Sequence, residues 1–188
     1  MNAAFTPTRL RITTDRYEKM VATGVLTEYD HIELIEGEML NMAPIGPKHA
    51  TVVDRLARLF LLAVQDAAIV SCGRPVNLGD FSEPQPDVVL LKPRPDGYGN
   101  AHPEAADVLL LIEVSDSTLS FDQSTKLALY GRHGVREYWV ADVERKRIVV
   151  YREPTSMGYM RKLEFWAPDA ISPQTFPDVE VRVREIFA

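Results

Sequence analysis

Five consecutive apolar residues, Val108-Leu109-Leu110-Leu111-Ile112, stand between Asp107 and Glu113. A strand without polar alternation has apolar surroundings on both faces, so a chain carrying one must cover a sheet from two sides. A second run, Val88-Val89-Leu90-Leu91, follows Pro84-Gln85-Pro86-Asp87, whose prolines hold the preceding backbone extended. Two such runs predict a sheet interior flanked by helices, and the rest of the chain supplies candidates for both.

Asp15 to Glu18 has capping-box spacing and Gly24 a stop, which predicts a short helix over 15–23. Ile32–Ile35 and Glu38–Met42 flank Glu36-Gly37 and read as a hairpin. From His49 to about Asp66, Val52, Val53, Leu56, Leu59, Phe60 and Ala63 recur at helical spacing. Short strands are expected near Val70 and over Val76–Leu78, and a loop over 93–106. Ser120 to Gln123 has capping-box spacing and opens a helix that ends near Gly131 or Gly134. Strands are expected over Glu137–Ala141, Arg147–Tyr151 and Met160–Phe165, with a final short element near Val181–Phe187. This order predicts an α/β (α+β) fold with a mixed sheet.

The chain has 188 residues, 46% apolar and 26% charged, which fits one domain over 1–188 and argues against disorder. Its one cysteine, Cys72, excludes an internal disulfide framework and a cysteine-rich zinc site. Its apolar runs are far shorter than the ~18–20 residues of a membrane span. Met1 to Arg11 lacks the apolar core of a signal peptide. The expectation is a soluble, cytoplasmic protein. A net charge of −6 disfavours a general DNA-coating role. Charge is segregated: Asp80 to Asp122 holds nine acids against two bases, and Arg132 to Lys162 holds eight bases against four acids. That pattern suits a cation site beside a phosphate-binding surface, and equally two solvated faces.

Asp87 opens one buried run and Glu113 closes the other. Either acid alone can simply end a strand. If the strands are neighbours, the two carboxylates lie about 4.7–4.9 Å apart and repel unless a proton or cation intervenes. Mg²⁺, with oxygen ligands at about 2.0–2.1 Å, fits such a gap. Asp122, Lys126 and Tyr130 fall at i, i+4 and i+8 of a predicted helix. They form either an exposed Asp–Lys pair with Tyr130 as partial core, or a face that turns Lys126 toward the carboxylates, where its ammonium could meet charge developing on a phosphate.

Glu33 to Glu38, Met42-Ala43-Pro44, His49, Pro84-Gln85-Pro86-Asp87-Val88-Val89, Ile112-Glu113-Val114-Ser115, Asp122, Lys126, Tyr130, Gly134-Val135 and Glu137-Tyr138-Trp139-Val140 occur in that order. This series resembles the Uma-type putative restriction endonuclease family of the PD-(D/E)XK nuclease superfamily, over roughly residues 13–151. The resemblance implies a restriction-endonuclease-like mixed sheet flanked by helices, and Mg²⁺-dependent hydrolysis of DNA phosphodiester bonds, with Mn²⁺ as a substitute ion. It implies Asp87 and Glu113 as metal ligands. The superfamily's Lys two residues after the Glu is replaced here by Ser115, and the resemblance takes that Lys from the next helix as Lys126. Asp122 would orient Lys126, and His49 would contact phosphate or water. The role of Glu33 is open. His31, His102 and His133 are expected on the surface.

Cutting both strands of a duplex is simplest with two sites, which predicts a homodimer, with Glu137–Val140 and Phe165-Trp166 as candidate surface, although the core is the expected place for these aromatics. The alternative is a nuclease-fold binding or assembly module that does not cut. A nucleophilic Ser or Cys hydrolase has little support, because Ser115 lacks a Gly-x-Ser-x-Gly elbow and no His is placed to serve Cys72.

Overall fold

A computed structural model describes residues 8–27 and 29–188. Most of the segment read for a leader therefore lies outside the described residues. In chain order the elements are α1 (Thr14–Ala22), β1 (Ile32–Ile35), β2 (Glu38–Asn41), α2 (Pro47–Val64), β3 (Ile69–Cys72), β4 (Val88–Leu91) and β5 (Val108–Ser115). There follow α3 (Leu119–Phe121), a widened π-type turn (Asp122–Lys126), α4 (Leu127–Arg132), β6 (Glu137–Asp142), β7 (Arg147–Thr155), β8 (Gly158–Trp166), β9 (Ala170–Ile171), β10 (Val181–Arg182) and α5 (Val183–Ile186).

Strands β3 to β8 form one six-stranded sheet in sequence order. Every pairing is antiparallel except β5–β6, which the helical stretch 119–132 connects. A parallel pair needs such a crossover, whereas antiparallel neighbours need only a returning loop, short at β6–β7 and β7–β8 and long at β3–β4 and β4–β5. The two apolar runs are neighbours, with Val88 opposite Ile112 and Val89 opposite Leu111. Each face carries its own core. On one, Val88, Leu110, Ile112 and Val114 meet Val52, Leu56, Phe60 and Val64 of α2. On the other, Val89, Leu91 and Leu111 meet Leu129, Tyr130, Val135 and Tyr138.

The hairpin β1–β2 turns at Glu36 (φ 52°) and Gly37 (φ 83°), the two positive φ values of a two-residue I′ loop. A segment from Phe81 to Glu83 straps it down: Gly37 N–H donates to the Phe81 carbonyl at 2.7 Å and Glu83 N–H to the Leu34 carbonyl at 2.7 Å. Helix α1 is capped by Thr13, whose hydroxyl accepts from Arg16 N–H, rather than by Asp15. Val76–Leu78 is not a strand. Val76 and Leu78 donate to Pro84 and Ser82, folding the segment back on itself, and only Asn77 makes a bridge, to Glu104. The Ser120–Gln123 spacing does not cap its helix, because the helix already starts at Leu119 after Thr118 and Ser120 lies inside it. Gly131 lies inside the helical stretch, where a Cβ would come within 2.1 Å of the Gly158 carbonyl oxygen. The stop is Gly134, at φ 78°. Strand β8 runs longer than expected because it mates with β7 from Arg147–Trp166 to Thr155–Gly158.

Tyr138, Trp139 and Val140 are buried within the sheet, so Glu137–Val140 offers no docking surface; of the aromatics considered for that role, only Trp166 is exposed.

Glu83 is buried against Glu18, and burial first and Glu18 second push its carboxyl up from 4.5 to about 7. A carboxyl whose folded value lies above its unfolded one favours folding while protonated. Its contribution is therefore lost as pH rises from about 4.5 to about 7. Allowing for partial access of water, the loss is on the order of 2 kcal/mol. Glu83→Gln should flatten the pH dependence of the melting temperature across that window and stabilise the protein at pH 8. An unchanged pH profile in urea or thermal melts would contradict this reading.

Candidate active site

The β4–β5 register continues past Val88, so Asp87 stands across from Glu113 on the face away from α2. Both line one cleft of about 230 Å³. Asp87 Oδ2 accepts from Val114 N–H at 2.7 Å, which ties the carboxylate to β5. Its Oδ1 lies 3.2 Å from His49 Nε2, in the first turn of α2. Gly46 caps that helix and Pro47 fills its first position, where a missing N–H costs nothing. The positive end of α2 thus meets the carboxylates.

The helical stretch approaches Glu113 from the other side. Lys126 Nζ lies 2.9 Å from Glu113 Oε1 and 3.1 Å from Glu33 on β1. The side chain is 2% exposed, which excludes the surface-pair reading. Nor does Asp122 pair with it. Asp122 Oδ2 accepts from Ser115 Oγ at 2.7 Å and Thr118 Oγ1 at 2.6 Å. The widened turn between Asp122 and Lys126 changes the helical spacing on which an i, i+4 pair depends. Ser115, two residues after Glu113, is thus spent on Asp122. Tyr130 OH donates to Glu113 Oε1 at 2.6 Å. Lys126 and Tyr130 therefore share one oxygen of Glu113.

Four carboxylates, Glu33, Asp87, Glu113 and Asp122, line the cleft with one lysine ammonium. Burial, only partly offset by Lys126, pushes Glu113 well up, with Asp87, Asp122 and Glu33 adding repulsion. Glu33 and Asp122 are also raised, first by burial and against the pull of Lys126. For Lys126 burial works toward neutrality, but Glu113, Glu33 and Asp122 outweigh it and keep the ammonium charged. Burial and then Glu113 raise the Tyr130 phenol, which keeps it a donor. His49 is raised chiefly by its hydrogen bond to Asp87, against burial.

A hard divalent cation fits this donor set. The carboxylates exceed the cations at the cleft, and buried Glu33 Oε2 stands 3.1 Å from the ammonium yet outside hydrogen-bond geometry with any partner. Among the described residues no three His, Cys, Asp or Glu side chains make a complete cage. An ion here would rest on two carboxylates, a backbone oxygen and water, which is how Mg²⁺ is commonly bound.

All five site residues singled out in the sequence, Asp87, Glu113, Lys126, His49 and Asp122, line this cleft. Glu33, left without a role, holds Lys126. His31, expected on the surface apart from the site, is exposed but borders the cleft. Tyr130, read as partial core, is fully buried and bonded to Glu113. None of the eight basic residues between Arg132 and Lys162 lines the cleft. Most are paired with acids, as Arg147 is with Asp142 and Arg152 with Glu137.

The crystal structure of "a putative nuclease belonging to DUF820" from Anabaena variabilis ATCC 29413 superposes with a TM-score of 0.69. It is 20% identical, and the match covers 94% of this chain and 97% of that one. At that identity the likeness shows the fold. No curated protein matches the chain. The sequence model of Uma2, described as "Putative restriction endonuclease", matches residues 15–184. With nearly the whole chain matched, this protein belongs to the Uma2 family of putative restriction endonucleases.

Proposed function

We propose that the protein is a Mg²⁺-dependent endonuclease that hydrolyses DNA phosphodiester bonds in the cytoplasm. The observation that carries this reading is the meeting of Asp87 and Glu113 from adjacent strands at one cleft, with Lys126 held against Glu113. Asp87 and Glu113, with the Val114 carbonyl, would hold the cation. When bound, it would neutralise charge on the scissile phosphate and make water more acidic.

The chain's own groups do the rest. Val114 N–H and His49 fix the Asp87 carboxylate. Tyr130 fixes Glu113 through Oε1 and leaves its second oxygen for the cation. Lys126 supplies a positive charge beside the reacting phosphate, where fixed charges aimed at the transition state act most strongly. His49 reaches phosphate or water only if its Nε2 leaves Asp87, since its Nδ1 is buried. A homodimer would bring the two sites that duplex cleavage needs.

A non-cutting binding module draws on one observation: Lys126 is engaged by two carboxylates and nearly without solvent contact. The readings separate on plasmid DNA. The purified protein should nick or cut it with Mg²⁺ or Mn²⁺ and not in EDTA. Mn²⁺ alone should raise the melting temperature by relieving repulsion among the carboxylates. Absence of both effects would overturn the metal-site reading; the thermal shift without cleavage would favour the module.

A further inference from the structure

A second cavity, of about 420 Å³, lies one residue along the chain from the cleft: Gly73 lines the cleft and Arg74 lines the cavity. Gly73 N–H donates to the Asp87 carbonyl at 3.2 Å, which pins the turn after β3 beside Asp87. Ser71 stands opposite Val89, two residues from Asp87, and Val89 stands opposite Leu111, two residues from Glu113. Alternation therefore puts Ser71, Asp87 and Glu113 on one face of the sheet. Arg74 Nε donates to Ser71 Oγ at 3.0 Å, so its guanidinium lies over that same face. Among the described residues, nothing lies within 4 Å of where a side chain on Gly73 would begin, which leaves the way from cleft to cavity open.

We propose, on the footing of the nuclease reading, that Arg74 and Asn77 form a subsite for the phosphate next to the one that is cut on the same DNA strand. The cleft itself offers a strand one lysine, already held by Glu33 and Glu113, so further grip has to come from beside it. Arg74 is half-buried and held by neutral acceptors, Ser71 Oγ and, at 3.5 Å, the Tyr98 carbonyl. Those two contacts use two of its five N–H groups and leave three for an anion. Among the described residues no acid pairs with it, whereas Arg94, Arg132, Arg147 and Arg152 are each paired.

Asn77 also lines the cavity, and its Oδ1 accepts from Gly79 N–H at 2.8 Å, which leaves its amide N–H groups as donors. The two acids of the lining are engaged elsewhere. Glu104 accepts from Asp107 N–H, and Glu18 is hydrogen-bonded to Glu83. A guanidinium fixed at Nε presents its remaining N–H groups as a planar fork, which matches two oxygens of a phosphate. Ser71 and Asp87 are diagonal neighbours on adjacent strands, about 7–8 Å apart, a gap that one extended nucleotide spans.

Binding of a fluorescent DNA duplex, with Ca²⁺ in place of Mg²⁺, is read by anisotropy from about 50 to about 200 mM salt. Arg74→Gln should bind about tenfold more weakly and reduce the slope of log K against log salt by about 0.9, the value of one phosphate contact. Arg74→Lys keeps the charge and should restore the slope. Asn77→Asp keeps the acceptor for Gly79 N–H and sets a negative charge against the phosphate, so it should weaken binding comparably. In Mg²⁺, Arg74→Gln should raise KM for plasmid DNA with kcat unchanged, because a neighbouring phosphate is held equally in the ground and transition states. Arg136→Gln, which lines neither cavity, should match the wild type throughout. Circular dichroism melts check folding, and Asn77→Asp carries the test if Arg74→Gln fails to fold. Unchanged affinity in both variants, beside a wild type that binds and cuts, would overturn the subsite and leave the nuclease reading standing. A loss of affinity in Arg74→Gln without a change in slope would mark a structural role and overturn it as well. A wild type that binds no DNA would overturn both.

Discussion

Glu113→Gln and Asp87→Asn should each reduce cleavage of plasmid DNA by about 10³-fold or more, because each removes a formal charge from the cation's shell and weakens its hold on the phosphate. The fold should persist. Asn at 87 keeps an acceptor for Val114 N–H, and in the Gln variant Lys126 retains Glu33. The rise in melting temperature with Mn²⁺ should disappear in both. Glu113 also sets a pH sign. Its folded pKa lies well above the usual carboxylate value, so its contribution to stability is lost as pH rises above about 4.5. Without cation, Glu113→Gln should therefore depend less on pH than the wild type. Undiminished cleavage by a carefully purified Asp87→Asn protein would point to a contaminating nuclease and end the assignment.

Lys126→Met should lose about 10²–10³ in turnover while DNA and Mn²⁺ binding change little, as expected of a charge that acts in the transition state. The structure adds a stability effect that the surface-pair reading would not have. Removing the ammonium leaves Glu113 and Glu33 buried without their cation, at a cost of about 3–5 kcal/mol. Both carboxyls can escape by taking a proton, so the deficit should be largest near pH 8 and shrink toward pH 5. Urea melts at the two pH values measure this, and turnover is compared below the variant's melting temperature. Lys92→Met, outside the cleft, should match the wild type in both assays. Near-normal turnover in Lys126→Met would show that cleavage does not use this ammonium and would end the role given to Lys126.

Local rules carried far along this chain. Val108–Ile112 and Val88–Leu91 were readable as neighbouring buried strands because unbroken apolar runs need cover on both faces. The acids that end them, Asp87 and Glu113, were readable as a pair for the same reason. Helix α2 was readable from Val52, Leu56 and Phe60, whose spacing puts them on one face. The failures also share a cause. Asp122 and Lys126 have the spacing of a surface ion pair, but a π-type turn between them and the hydroxyls of Ser115 and Thr118 send the two side chains to different partners. Val76–Leu78 has strand composition and no strand to mate with. Tyr138 and Trp139, by contrast, were expected in the core and are buried there.

What the sequence by itself determined was the set of layers and the residue types at the cleft, since periodicity and strand-end charge are properties of neighbours along the chain. What only the tertiary structure decided was who meets whom across it. Glu33, on a hairpin 93 residues before Lys126, clasps the same ammonium as Glu113, and His49 reaches Asp87 from the start of a different helix. Tyr130 has its phenol on Glu113 rather than simply filling the core. No local pattern encodes those contacts. They exist because burying both faces of β5 forces the hairpin, α2 and the helical stretch onto one end of the sheet, where their polar side chains can be satisfied only by one another.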